Sequence, residues 1–186
     1  MKKKNNFRWV ISVTLTGAAV SAGFTLASSG SPGKAGYAAS FLFLLAFILL
    51  GILFDMIGVA VTAATPGPLH SMAARRERGA AEAISLVKNA EKVSSVCNDV
   101  VGDIAGIISG TMSAVIASRL VARFSAETIL LQLCISAAVT GMTIGGKALG
   151  KTAAINNSTA IVIRTGRLIH LLSAPFRVRT AARRRK

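Results

Sequence analysis

The stretch "YAASFLFLLAFILLGILFDMIGVAVTAA", from Tyr37 to Ala64, decides the class of this protein. A helix that crosses the hydrocarbon layer of a bilayer, roughly 30 Å thick, needs about 20 mostly apolar residues. This stretch exceeds that length and contains one charged residue, Asp55. It is followed by "TPGP", in which Pro66 and Pro68 lack the backbone donors that a continuing helix needs. The stretch therefore predicts a membrane-spanning helix.

The composition of the whole chain agrees with a membrane protein. Its 186 residues are 52% hydrophobic and carry a formal net charge of +15, and the mean hydropathy is +0.59. A soluble nucleic-acid-binding protein of this charge would spread Lys and Arg over a polar surface, whereas here they lie between long uncharged stretches. We therefore expect the lipid bilayer as the environment of the chain and no nucleic acid among its partners.

Three further stretches have the composition of membrane spans. The first runs from Trp9 to Ala27 and follows the basic start "MKKKNNFR". It fits a retained anchor or, as the alternative, a cleaved signal peptide. The third runs from about Val93 to Ser118 and the fourth from about Thr128 to Ile144; both are rich in small residues, as helices packed in a bundle tend to be. The sequence thus predicts an all-α integral membrane protein with about four transmembrane helices.

The distribution of Lys and Arg predicts the orientation of these spans. Short cytoplasmic segments retain positive charge. With the N-terminus inside, only Lys34, Arg119 and Arg123 fall on the outer side, and all other basic residues fall on the inner side. We therefore expect a multi-pass protein of the cell membrane whose N-terminus and C-terminus are both cytoplasmic.

Two cytoplasmic segments mix apolar and charged residues. They are "SMAARRERGAAEAISLVKNAEKV", residues 71–93, and "STAIVIRTGRLIHLLSAPFRVR", residues 158–179. Both predict amphipathic helices at the cytoplasmic interface. The basic tail that follows either attracts anionic lipid or an acidic partner, or serves only as a signal for topology.

The segment "GGKALGKT", residues 145–152, satisfies the phosphate-loop pattern G-x-x-x-x-G-K-[ST]. Such a loop functions because it joins a buried strand to a helix. Here the segment follows the fourth predicted span, so we expect no nucleotide site. Gly141, Gly145, Gly146 and Gly150 are better explained as close-packing or helix-breaking positions.

The remaining reactive side chains predict no catalytic site. Cys97 and Cys134 lie in apolar segments, which favours free buried thiols over a disulfide. His70 and His170 have no neighbours at metal-ligand spacing and are expected to be ordinary interfacial residues. No set of nucleophile, base and acid can be assembled, so we do not expect an enzyme.

Carboxylates inside the predicted spans are the most informative polar groups. Intramembrane carboxylates are costly, and each therefore indicates a functional site by default. Asp99 and Asp103 are four residues apart and share one helix face, with Asn98 beside them; Asp55 lies in the second span. Such oxygen ligands suit a hard cation such as Mg²⁺. The alternative is that these aspartates form buried pairs that hold the bundle together.

The order of motifs from residue 54 onward resembles the transmembrane domain of the CorB/CorC and cyclin M (CNNM) family, which is implicated in Mg²⁺ transport or efflux. In that family a first span ending in F-S-x-S-E-x-A leads into R-L-x-x-L-A, R-G-A and N-P-E. The segment "FDMIGVAVTAATPGPLHSMAARRERGAAEAISLVKNAEK" matches this order without a gap. The matching residues are Phe54, Ala60, Leu69, Met72, Ala73, Arg78, Gly79, Ala80, Asn89 and Glu91.

The resemblance covers roughly residues 40 to 177 and implies a metal site. The next span of the family carries Gly-Asn and further Asn residues that help to bind the ion. This chain offers "CNDVVGDIAG" at that place. The implied ligand set is Asp55, Asn98, Asp99, Gly102 and Asp103.

The departures from the family pattern bear on the same site. The family closes its domain with G-E-x-x-P-K, and Gly146 and Lys151 fit this motif. Lys147 stands where the family has Glu, and Gly150 where it has Pro. An internal Lys reverses the local charge and can act as a counter-ion for one of the aspartates. The paired nucleotide-sensing CBS domains that commonly follow in this family have no counterpart in the sequence, so the resemblance implies no ATP-linked regulation through them.

Together these features predict three regions: residues 1–36 as basic segment, anchor and outer loop, residues 37–177 as a CorC-like transmembrane domain with three spans, and residues 178–186 as a basic cytoplasmic tail. The function that the resemblance implies is transport or efflux of a divalent cation, with Mg²⁺ first, by a homodimer. The alternative is a non-transporting membrane subunit or adaptor with a degenerate ion site.

Overall fold

The structure is a computed structural model, and it describes residues 37–124 and 128–183 together with eight positions near the N-terminus: Ile11, Thr14, Leu15, Gly17, Ala18, Ala19, Ala22 and Gly23. The described residues form helices and no strand, which confirms the predicted all-α class. Most of the first predicted span, Trp9 to Ala27, lies outside the described residues. The positions described within it are helical.

Seven α-helices and one π-helix follow one another in the main part of the chain. They are α1 (Tyr37–Ala63), α2 (Pro66–Ala74), α3 (Ala80–Lys88), α4 (Ala90–Ser95), the π-helix (Val96–Gly102), α5 (Asp103–Phe124), α6 (Thr128–Asn156) and α7 (Ser158–Arg183). A π-helix inside a helical segment is rare and frequently occurs at functional sites.

Three of the described helical segments are long and apolar enough to cross a membrane. They are Tyr37–Ala63, Ala90–Ala122 and Ile129–Asn156. The second is one continuous helical path made of α4, the π-helix and most of α5. These segments correspond to the second, third and fourth predicted spans, and they are compatible with a multi-pass membrane protein.

The expectation of one helix over residues 71–93 is wrong, and of the two explanations of the glycines, close packing or helix breaking, the structure contradicts helix breaking. Residues 71–93 do not form one helix, because Arg76 and Gly79 have φ values of 55° and 84° and the helix breaks between α2 and α3. Conversely, α6 continues through residues 145–152, so the glycines of "GGKALGKT" do not break the helix. Gly146 packs closely against Ile52, whereas nothing described lies within 4 Å of a Cβ placed on Gly141 or Gly145.

The chain divides into two compact units, and the division falls within α1 and α6. The first unit comprises Met1–Asp55 and Val96–Gly150; the second comprises Met56–Ser95 and Lys151–Lys186.

In the first unit α1 and α5 run antiparallel. Tyr37 at the start of α1 donates its hydroxyl to the carbonyl of Arg119 near the end of α5, at 3.5 Å. Gly51 faces Ala105 so closely that a Cβ on the glycine would lie 3.2 Å from the Ala105 Cβ. The buried residues between the helices are Leu44, Ile48, Ile104, Ile108, Met112 and Ile116.

The second unit has its own core, in which α7 packs against α3. The buried residues are Ala60, Val61, Ala64, Leu69, Ala80, Ala83, Ala154, Val162 and Ile163. Small side chains let two helix backbones approach closely. A Cβ on Gly166 of α7 would lie 3.0 Å from the backbone nitrogen of Ala83 and 3.1 Å from its Cβ.

Candidate metal site

The π-helix and the start of α5 present polar groups on two adjacent faces. Asn98 and Gly102 lie on one face, and Asp99 and Asp103 lie on the next. Asn98 is half-buried and Gly102 is buried, whereas both aspartates are exposed. The two faces of this segment therefore lie in different environments, one packed against the protein and one exposed.

The two aspartates line one cavity. Its volume is about 410 Å³, and its lining is Thr14, Gly17, Ala18, Asp99, Val100, Asp103, Ile104 and Ile107. Among the described residues of the lining, the carboxylates and the Thr14 hydroxyl are the polar side-chain groups, and the others are apolar. The four-residue spacing of Asp99 and Asp103 predicts such a shared face, and the structure places both there.

Thr14 was not predicted as a neighbour of these carboxylates. Thr14, Gly17 and Ala18 belong to the N-terminal predicted span, which the family resemblance does not cover. A Cβ on Gly17 would lie 3.8 Å from Cγ1 of Val100, so this segment is in van der Waals reach of the π-helix. The i, i+3, i+4 spacing of Thr14, Gly17 and Ala18 was the available signal that they share one face.

Lys147 lies on the other face of the π-helix. Its Nζ is 3.7 Å from the point where a Cβ of Gly102 would stand. Within the described part of the chain no carboxylate lies within ion-pair distance of this ammonium. A Cβ at Gly102 would be in ordinary van der Waals contact with this ammonium, so Lys147 lies against the π-helix at Gly102.

The five predicted ligands are thus not gathered around one point and do not form a single coordination shell. Asp99 and Asp103 line the cavity, and Asn98 and Gly102 share the face that meets Lys147. Asp55 is 5% exposed in α1 and is not part of the cavity lining. No group of three or more His, Cys, Asp and Glu side chains that could hold a metal ion occurs among the described residues. From the described residues, the cavity offers a cation two carboxylates, one hydroxyl and room for water.

Among the described residues of the second unit, two ion contacts join α7 to the α2–α3 region. Nδ1 of His170 donates to Oε1 of Glu82 at 2.9 Å. The Arg167 guanidinium lies 3.5 Å from Oε2 of Glu77. The sequence analysis treated His170 as an ordinary interfacial residue and missed its partner, because the contact joins residues far apart in the chain. His70 is exposed.

The phosphate-loop pattern and the cysteines also have definite places. Residues 145–152 are helical, and Gly146 packs against the Ile52 side chain. The strand-to-helix turn that a phosphate loop requires is therefore not formed. Both cysteines are free thiols, as predicted. Cys97 is buried, but Cys134 is exposed on α6, so the expectation of a buried thiol is wrong for Cys134.

Comparisons of this chain with protein-family models, with curated proteins and with solved structures give no match.

Proposed function

We propose that this chain is a multi-pass membrane protein that binds and moves a divalent cation, with Mg²⁺ as the first candidate. One observation carries the proposal: Asp99 and Asp103, both within a membrane-span candidate, line one cavity together with Thr14. Two carboxylates on one apolar helix are expensive to place in a bilayer. A divalent cation compensates both charges at once.

The chemistry of the cavity suits a partly hydrated cation. Mg²⁺ dehydrates reluctantly and usually keeps several waters while one or two carboxylates hold it. A cavity of about 410 Å³ has room for such an ion and its waters. We propose alternating access from a cytoplasmic opening as the mechanism, with both termini cytoplasmic as the distribution of Lys and Arg indicates. No catalytic residue and no nucleotide is part of this proposal.

The resemblance to the CorC and cyclin M transmembrane domain supports the same proposal. Of the residues that match the family pattern, Ala60, Leu69 and Ala80 are buried in the core of the second unit. Gly79 adopts a φ of 84°, which favours glycine. Packing and backbone conformation alone account for these residue types, so the carboxylate cavity rather than the resemblance carries the proposal.

A homodimer is part of the proposal and rests on α6. In the span candidate Ile129–Asn156, none of the residues in the most apolar 18-residue part is buried inside the described protein. The buried share of the same part is 28% in Tyr37–Ala63 and 39% in Ala90–Ala122. Nothing described lies within 4 Å of a Cβ placed on Gly141 or Gly145. Small residues with open space around them allow a helix of a second copy to approach closely.

The second candidate function is a non-transporting membrane subunit or adaptor, and the position of Lys147 favours it. Its ammonium lies against the π-helix at Gly102, on the segment that also bears Asp99. A fixed positive charge beside a cation site opposes the entry of a cation. In this case the aspartates maintain the structure, and the chain serves a partner.

Binding of Mg²⁺ to the purified protein distinguishes the two candidates. Calorimetry at millimolar Mg²⁺ is run on the wild type and on Asp99→Asn and Asp103→Asn, which remove charge at nearly constant volume. Glu91→Gln is the matched control, because Glu91 is an exposed carboxylate of the second unit. Transport requires saturable binding that both Asp variants lose and the control keeps. A wild type with no saturable signal rules out the transport proposal.

A further inference from the structure

Helix α7 has two faces with opposite surroundings. Val162, Ile163 and Gly166 are buried against the second unit. The opposite side of the helix bears three leucines, Leu168, Leu171 and Leu172, whose exposures are 61%, 70% and 74%. We call this set, together with the exposed Arg164, the outer face of α7. An exposed apolar surface of this kind indicates a binding site for an apolar partner.

The charges around the outer face determine which partner fits. After Glu127 the sequence contains no acidic residue, and α7 itself carries Arg164, Arg167, Arg177, Arg179 and Arg183. The acidic residues nearest to the packed side of α7, Glu77 and Glu82, already contact Arg167 and His170. The outer face therefore combines three exposed leucines with the exposed Arg164, on a helix whose sequence contains basic residues and no acidic residue.

We infer that the outer face of α7 docks on the surface of an anionic lipid bilayer. Leucines on one side of a helix and arginines beside them are the composition of helices that lie in the plane of an anionic membrane. The leucines enter the boundary between headgroups and acyl chains, and the arginines contact the headgroups. A second copy of α7 does not fit, because two such faces would bring two Arg164 side chains together while α7 has no carboxylate to compensate them.

The inference concerns the second unit and does not depend on cation binding at Asp99 and Asp103. It is also distinct from a topology signal, since a topology signal requires only charge and makes no use of exposed leucines. Two contacts keep the packed side of α7 on α3 while the outer face points away: the His170–Glu82 hydrogen bond and the Gly166–Ala83 approach. The face is therefore a fixed feature of the unit.

The test places a fluorescent reporter on the outer face of the full chain. In a background of Cys97→Ala and Cys134→Ala, single cysteines are introduced by Leu168→Cys or Leu171→Cys and labelled with an environment-sensitive dye. Lys88→Cys is the matched control, because Lys88 is an exposed residue of α3 in the same unit. Each protein is reconstituted in nanodiscs of phosphatidylcholine, with or without phosphatidylserine and with or without lipids brominated on their acyl chains.

We expect a blue shift and quenching by brominated lipid at both leucine positions in discs that contain phosphatidylserine, and neither effect at Lys88→Cys. Adding Arg164→Gln should weaken the quenching at Leu171→Cys. The inference is overturned if both leucine positions stay unquenched, or if quenching is equal with and without phosphatidylserine. It is equally overturned if the reporters are protected in native membranes but not in lipid discs, since a protein partner then covers the face.

Discussion

Gly79 and Gly166 bring the backbones of α3 and α7 into direct contact. A Cβ placed on Gly79 would reach the backbone of Gly166 and Arg167, and a Cβ placed on Gly166 would reach the carbonyl of Gly79. Gly79 also has a φ of 84°, a conformation that other L-residues adopt only with strain. This contact joins two segments that are distant in the sequence and forms the centre of the second unit.

Gly166→Ala should therefore destabilise the second unit. The added methyl meets backbone atoms rather than a flexible side chain, so the helices must separate, and the free energy of unfolding should fall by about 1–3 kcal/mol. Gly67→Ala is the matched control, because nothing described lies within 4 Å of a Cβ at Gly67. Chemical denaturation in detergent, followed by circular dichroism, measures both variants. Equal stability of Gly166→Ala and Gly67→Ala would contradict the observed contact.

The Gly79–Gly166 contact also shows what the sequence could and could not predict. The length and apolarity of Tyr37–Ala63 predict a span without any tertiary information, because the bilayer sets the requirement. The spacing of Asp99 and Asp103 predicts a shared face, because helix geometry alone sets it. A contact between the backbones of two glycines that are far apart in the chain leaves no pattern in the nearby sequence. The same holds for the pairing of His170 with Glu82.

The π-helix and the place of Thr14 were not predicted for a related reason. In the π-helix Val96–Gly102 the backbone hydrogen bonds join residues five apart, whereas in an α-helix they join residues four apart. The amino-acid types in this segment do not distinguish a π-helix from an α-helix. Thr14 reaches the carboxylate cavity through packing of the N-terminal segment on the π-helix. The stretch Trp9–Ala27 was predicted only as a membrane anchor or signal peptide, and no motif in it identifies Thr14 as a neighbour of the carboxylates.

Enlarging Gly17 should impair cation binding without altering a carboxylate. Gly17 lines the cavity, and a Cβ there would lie 3.8 Å from Cγ1 of Val100. The side chain of Gly17→Leu extends into the cavity and removes room for the waters that a bound Mg²⁺ keeps. We expect the Mg²⁺ affinity in calorimetry to fall by about tenfold, which corresponds to about 1.4 kcal/mol.

Gly23→Leu provides the comparison, because nothing described lies within 4 Å of a Cβ at Gly23. Both variants add the same side chain to the same predicted span. If they bind Mg²⁺ alike, the cavity is not the site of the cation.

Removing the charge of Lys147 should strengthen cation binding. The Lys147 ammonium lies beside Gly102 on the segment that bears Asp99. A positive charge on that segment opposes a divalent cation at the carboxylates through Coulomb repulsion. Lys147→Met keeps the length of the side chain, and calorimetry should show a Mg²⁺ affinity higher by about tenfold.

Lys151→Met is the control for the loss of a positive charge from α6. Lys151 is exposed and belongs to the second unit. An equal gain in both variants would mean that the overall charge of the chain, and not the position of Lys147, controls binding. A loss of binding in Lys147→Met alone would show that the ammonium supports the site.

The two ion contacts of α7 should differ in strength, because their geometry and exposure differ. His170 and Glu82 are joined at 2.9 Å, and the Glu82 side chain is only 13% exposed. Arg167 and Glu77 are 3.5 Å apart, with side-chain exposures of 53% and 34%. A short hydrogen bond to a largely buried carboxylate contributes about 1 kcal/mol or more. An exposed pair of this kind contributes between about 0 and 1 kcal/mol.

Double-mutant cycles with His170→Ala and Glu82→Ala, and with Arg167→Ala and Glu77→Ala, measure both coupling energies by chemical denaturation in detergent. We expect the His170–Glu82 cycle to give the larger value at neutral pH. A larger value for Arg167–Glu77 would show that charge, rather than burial of the carboxylate, controls how α7 is held on α3.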